Sequence, residues 1–290
     1  MLSPTKRDTL LLFTLRFLTM VSAGIIVLVV VFVARESWHV FDQSDGSFYV
    51  TKVVTDDSWQ PLADPPTYDL KPMIVASLLV TFGSAALTAP LGIGLAIFLN
   101  FYATTKLAWV FRRTVEMMAG VPSVVYGLWG VSVLVPLIAE ISPLGRGQSL
   151  LAGILILMFM TLPTVVVAAD AAIQSVPESY LRGAKALGIS RRAVIWSVVV
   201  PAARWGLVSA VILQISRAIG ETMAVLMVCG SVVQMPDSVF TSVKTLTANI
   251  AEEMGAADDV HRSVLFLSGL LALGLVAALM LFFNFLSRKK

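Results

Sequence analysis

The chain has 290 residues, of which 57% are hydrophobic and only 13% charged, and its mean hydropathy is +0.86. Such a composition excludes an ordinary soluble domain and identifies an integral membrane protein. The net charge of +3 reflects topology rather than affinity for nucleic acid, and the single cysteine, Cys229 in an apolar run, excludes an internal disulfide.

Six apolar segments are predicted at residues 17–34, 73–101, 115–139, 150–173, 206–229 and 263–286, each near or above the ~20 residues that span hydrocarbon. The first follows Lys6, Arg7 and Arg16 as a signal peptide would. It runs on into Arg35 and Glu36 without an A-x-A pattern, so a retained anchor is expected. Segment 35–72 is polar and turn-rich, too short for a core of its own, and reads as a surface cap or amphipathic helix-loop. Trp38, Tyr49, Trp59 and Tyr68 are expected to anchor it at the membrane interface. His39 and His261 lack metal-ligand spacing and are expected on the surface.

In the second segment, Gly92-Ile93-Gly94 reads as a helix-packing pair, and no G-x4-G-K-[ST] loop occurs to hold a nucleotide. Glu116 lies one helical turn after Arg112 and Arg113, where a local ion pair accounts for it. Pro122, in Gly120-Val121-Pro122-Ser123, would remove a hydrogen bond inside the third segment and predicts a bend or a flexible gate. Asp170, at the end of the fourth, has a structural or a coupling role.

Residues 174–205 form a polar loop carrying Arg182, Lys185, Arg191, Arg192 and Arg204. With Lys6, Arg7, Lys106, Arg112, Arg113 and Arg288-Lys289-Lys290, it holds most of the 21 Lys and Arg residues. The positive-inside bias therefore puts this loop and both termini in the cytoplasm, while the opposite side is acidic. Val176, Tyr180, Ala184, Leu187 and Gly188 approximate one face of a short helix, with Pro177 in its first turn and Gly188 at a left-handed end. The small residues of that helix would let a soluble partner approach closely; a plain solvated connector is the alternative.

Segment 206–229 carries Arg217 and Glu221 in its middle. Its Leu, Ile and Val residues contribute about −3 to −6 kcal/mol to insertion, and two central charges cost about +5 to +7 kcal/mol. The helix is marginal alone and must pack among others. The i,i+4 spacing predicts both charges on one face, partly satisfying each other, with Gln214, Ser216 and Thr222 extending a polar stripe. A structural ion pair and a place in a conduction path both fit.

Here the chain resembles a family. Arg217-Ala218-Ile219-Gly220-Glu221-Thr222-Met223-Ala224-Val225 is similar to the R-A-[IL]-G-E-T-M-A-V signature of the PstC-type permeases of bacterial phosphate uptake ABC transporters. Gly120-Val121-Pro122-Ser123-Val124-Val125-Tyr126-Gly127 resembles a second family segment, and Thr245 to Ala251 the final outer loop. Tyr180 to Gly188, then Ile195 and Val200-Pro201, resemble the "EAA" motif of ABC importer permeases. Arg182-Gly183-Ala184 stands where the motif has Glu-Ala-Ala, which puts the usual carboxylate contact with the ATPase in question.

The resemblance implies an all-α integral membrane protein of about six transmembrane helices, with the type I ABC importer permease fold and a cytoplasmic coupling helix. It divides the chain into a tail and anchor (1–34), an extracytoplasmic segment (35–72), the permease domain (73–286, coupling loop 174–205) and a tail (287–290). The implied function is phosphate import through a pathway shared with a PstA-type permease, driven by a PstB-type ATPase dimer and fed by an extracytoplasmic phosphate-binding protein. The subunit itself would be non-catalytic, without cofactor or metal, and would lie in the bacterial inner membrane. Arg217, Glu221, Gln214, Thr222, Pro122 and Ser123 are the expected pathway residues; Tyr180, Arg182, Gly183, Ala184, Leu187 and Gly188 are the expected ATPase contacts. A permease for molybdate, tungstate or sulfate is the nearest alternative and a secondary transporter a more distant one; an intramembrane enzyme would need a nucleophile-base set or metal cluster that the spans lack.

Overall fold

The computed structural model describes residues 6–38, 40, 53 and 55–288. His39, Tyr49, Asp42, Asp45 and the Lys289-Lys290 end fall outside them. Helix α1 (Lys6–Trp38) is followed by strands β1 (Trp59–Gln60) and β2 (Thr67–Tyr68), then α2 (Lys71–Phe101) and α3 (Thr105–Ala119). After these come α4 (Ser123–Trp129), α5 (Val135–Ile141), α6 (Leu150–Gln174), α7 (Glu178–Ala186), α8 (Arg191–Val194), α9 (Val200–Ile219), α10 (Met223–Cys229), α11 (Leu246–Glu253) and α12 (Asp259–Arg288). Among the described residues, 6 helical stretches are long and apolar enough to cross a membrane: Leu11–Trp38, Lys71–Phe101, Ser123–Ile141, Leu150–Gln174, Arg191–Ile219 and Asp259–Phe283.

The centre of the fold is the pair α2 and α6, with α9 laid against both. Glycine makes this approach possible: a Cβ on Gly92 would stand 2.7 Å from Val165 Cγ1, and one on Gly83 would stand 2.7 Å from Ile154 Cδ1. Gly94 has open space around it, so only Gly92 of the expected pair packs. Ala76, Val80, Ile156, Leu157, Met160 and Val228 form the core on one side of the middle, and Ala96, Ala169, Ile173, Ile195 and Val199 the core towards α7. Helix α1 stands apart with its apolar side chains open, touching α12 through Phe32 and Phe266, whose ring centroids are 5.7 Å apart. In a bilayer such a helix meets lipid or another subunit.

Two spans use the same device around proline. A π-helical turn at Gly130–Leu134 precedes Val135-Pro136, and another at Ile195–Val199 precedes Val200-Pro201. Proline has no N–H and its ring clashes with the carbonyl four residues back, so one wider turn ahead of it accommodates the ring. The N–H of Val135 then bonds Gly130 O, and that of Val200 bonds Ile195 O.

Pro122 behaves otherwise. The expected span 115–139 is two helices, because α3 ends at Ala119 and Pro122 is the N-cap of α4, with φ −60° and ψ 142°. An extended residue before the helix suits proline. Of the two forms expected of segment 35–72, a surface cap or an amphipathic helix-loop, residues 59–68 do not take the second. They pair as a two-stranded antiparallel hairpin, with Trp59 opposite Tyr68.

Candidate functional site

The segment read as one span over 206–229 is broken. Helix α9 stops at Ile219, Gly220 caps it, and α10 begins at Met223. Gln214 Nε2 lies 3.3 Å from Thr161 Oγ1 at the midpoint of α6, so Arg217 sits about one turn beyond the middle of the bundle and Glu221 at the break itself.

The break redirects Glu221. Its Oε1 accepts from the Ala224 N–H at 3.3 Å, satisfying one of the orphan donors of the new helix, and its backbone carbonyl accepts from Thr247 Oγ1 at 2.7 Å. Thr222 Oγ1 donates to Gly220 O at 3.3 Å. Arg217, in the last turn of α9, is exposed. Among the described residues no ion pair joins it to Glu221, contrary to the i,i+4 expectation, because the helix on which that spacing counts has ended.

Helix α4 closes one side of the break. A Cβ on Gly127 would stand 2.6 Å from Met227 Sδ and 3.1 Å from Ala224 Cα, so α4 and α10 touch through that glycine. Pro122 and Ser123 lie one turn earlier, at the start of α4. From the hairpin end, α11 dips back: Leu246 N–H donates to Ser77 Oγ at 3.0 Å, and Thr247 props the Glu221 carbonyl. Gln214 does not join this group. It is 0% exposed, wedged between Ser84 of α2 and Thr161 of α6, and acts as a polar staple inside the helix packing.

The α7 helix carries the expected docking residues. Its end forms a full Schellman closure, with Gly188 N–H bonded to Lys185 O, Ile189 N–H bonded to Ala184 O, and Gly188 at φ +67°. Ala184 is buried against the span ends, with Leu181 beside it, while Tyr180, Gly183 and Leu187 face outwards and a Cβ on Gly183 would meet nothing. The expected face is therefore split: Val176 and Ala184 point inwards, and Tyr180, Leu187 and Gly188 are exposed. Arg182 lies 3.5 Å from Glu178 at an exposed i,i+4 position.

Two charge clusters flank the break along the bundle. Asp170 accepts from Arg112 Nε at 2.9 Å and Nη2 at 3.0 Å, from Asn100 Nδ2 at 2.6 Å and from Gln174 Nε2 at 2.8 Å. This bidentate pair ties α3 to the α7 end of α6, and its hydrogen bonds to Asp170 raise the Arg112 guanidinium further above its ordinary pKa. Arg113 alone pairs with Glu116, at 2.7 Å.

At the hairpin end, Glu253 accepts from Trp59 Nε1 at 3.0 Å, lies 2.9 Å from His261 Nε2, and shares Lys244 with Glu252. His261 is 4% exposed, Lys244 5% and Tyr68 1%, so neither His261 nor Tyr68 is a surface group as expected, while the Trp59 ring beside them is half-buried. Trp59 and Glu253 are 194 residues apart, which hid the cluster from sequence reasoning.

The family described as "Binding-protein-dependent transport system inner membrane component" matches residues 89–290. A probable ABC transporter permease protein, YqgH of Bacillus subtilis, is 39% identical over 82% of this chain and 77% of its own length. The phosphate transport system permease protein PstC of Haemophilus influenzae is 30% identical over 91% of this chain and 86% of its own. Among solved structures, a chain of a bacterial alginate ABC transporter superposes with a TM-score of 0.69 over 98% of this chain and 96% of its own, at 14% identity. A chain of the inward-facing MetNI methionine ABC transporter gives 0.58 over 74% and 92%, at 17% identity. At that identity both show the fold alone.

Proposed function

The chain belongs to the family of binding-protein-dependent transport system inner membrane components, and from that membership we propose that it is the phosphate-conducting permease of an ATP-driven importer. It is a multi-pass inner-membrane transport subunit of the ABC importer class. The observation that carries the phosphate reading is the broken span: an exposed Arg217 next to a Glu221 whose backbone is held by Thr247 and whose helix is interrupted. Arginine offers forked donors to either phosphate or sulfate. Monohydrogen phosphate also brings a proton that the Glu221 carboxylate can accept, and sulfate at neutral pH brings none.

In this reading Arg217, Glu221 and Thr222, with Pro122 and Ser123 across the break, line one side of a pathway that a second, PstA-type permease completes. A PstB-type ATPase dimer docks on Tyr180, Arg182, Gly183, Leu187 and Gly188, with Ala184 as the buried foot of that helix, and an extracytoplasmic phosphate-binding protein delivers the anion. Residues 174–205 and both termini are cytoplasmic, and residues 73–286 form the permease domain between the 1–34 anchor, the 35–72 segment and the 287–290 tail. Gln214 contributes by holding α9 to α2 and α6. Two measurements test this. The tagged chain should bring down a second permease and an ATPase, whereas a secondary transporter would purify without them. Radiolabelled uptake with Glu221→Gln should show weakened discrimination between phosphate and sulfate, and unchanged discrimination would remove Glu221 from the selectivity step.

A further inference from the structure

Between α7 and the ends of α2 and α6 lies a cavity of about 520 Å³, within the size range of small-ligand sites. Three cations line it, Arg182, Lys185 and Arg191, against one carboxylate, Glu178. That carboxylate is engaged with Arg182. Among the described residues neither Lys185 nor Arg191 meets a carboxylate, and Arg191 instead lies 5.7 Å from the centroid of the Tyr102 ring. The remaining wall is apolar, with Phe101, Ile173 and Leu181. Phe101 and Gln174 end two membrane-capable helices, so the cavity sits at the level where lipid headgroups begin.

We propose that this cavity is a binding site for a phosphate-bearing anion, seated on Lys185, Arg191 and Arg182 beneath the docking helix. The unpaired positive charge calls for an anion, and the apolar wall at headgroup depth favours the phosphodiester of an anionic phospholipid, with its glycerol and first methylenes against Phe101, Ile173 and Leu181. Free inorganic phosphate offers the same oxygens and is the other source. An occupant bridges α7 to the span ends, so it sets how stiffly the docking helix transmits movement to the bundle. The site is distinct from the Arg217 break and rests on the cytoplasmic placement of residues 174–205.

The test uses the whole complex in nanodiscs containing a photoactivatable phosphatidylglycerol, with labelling mapped by proteolysis. Each basic residue near an anionic headgroup contributes about fivefold to affinity, so Lys185→Gln with Arg191→Gln should cut labelling of residues 174–194 by about twenty-fivefold. Lys185→Arg with Arg191→Lys should retain it, and co-purification of the partner subunits shows that each variant is assembled. Labelling that inorganic phosphate leaves intact assigns the site to lipid; labelling that phosphate displaces, with the same variant dependence, assigns it to the free anion. Equal labelling of all variants, or none in the unaltered complex, overturns the proposal. Protease access to residues 174–205 in right-side-out and inverted vesicles checks the loop's placement separately.

Discussion

At the α7 end of α6, Asp170 takes four hydrogen bonds from three side chains, whereas at the α9–α10 break the Arg217 guanidinium donates none to any described residue. The hairpin end repeats the first pattern, with Glu253 gathering Trp59, Lys244 and His261. Both kinds of site place charge among apolar helices, where an unpartnered ion is costly. The closed clusters fix how helices sit against one another. An open cation on an interrupted helix has its binding capacity unspent, and in the proposed transporter the passing anion uses it.

That contrast is broken most severely at the open site. Arg217→Gln removes forked, charge-assisted donors worth about 1.5–3 kcal/mol each, so phosphate uptake should fall by roughly a hundredfold or more, with the complex still assembled. Asp170→Asn should act the other way round. It leaves Arg112 without its carboxylate and costs about 2 kcal/mol of stability, lowering the thermal midpoint by about 5 °C, with residual uptake in molecules that remain folded.

Smaller effects sharpen the picture. Glu253→Gln keeps an acceptor for Trp59 and leaves Lys244 its second partner, Glu252 at 2.9 Å, so a stability loss of about 1 kcal/mol is expected in thermal unfolding, with uptake preserved. Gly188→Ala forces a side chain into the left-handed region at φ +67° and should cost roughly 1 kcal/mol, seen as slightly weaker recovery of the ATPase on co-purification. A loss of uptake in Glu253→Gln as large as in Arg217→Gln would erase the distinction between closed and open charges.

Much of the fold was legible because apolar length is written locally. The spans at 73–101, 150–173 and 263–286 lie within helices α2, α6 and α12, and Gly188 announced the left-handed closure of α7. The break at Gly220 was not legible from hydropathy, since Met223 to Cys229 is as apolar as the helix before it and no proline marks the gap. Pro122 misled in the opposite sense: a proline at a helix start and one inside a span read alike until the end of α3 is seen. The Glu253 cluster joins the hairpin to α11 and α12, and such long-range pairing leaves no periodic trace. Asp170 did carry a signal, because a carboxylate at the end of an apolar helix requires a partner, but not that the partner would be Arg112.

The most direct measurement is water access at position 217. In a chain whose buried native thiol is replaced by Cys229→Ser, Arg217→Cys should react with a charged, membrane-impermeant thiol reagent in the assembled complex, at a rate that changes when ATP is bound. A thiol at that position that stays unreactive in every nucleotide state, while the same complex is shown to be intact, would contradict the placement of Arg217 on an anion pathway.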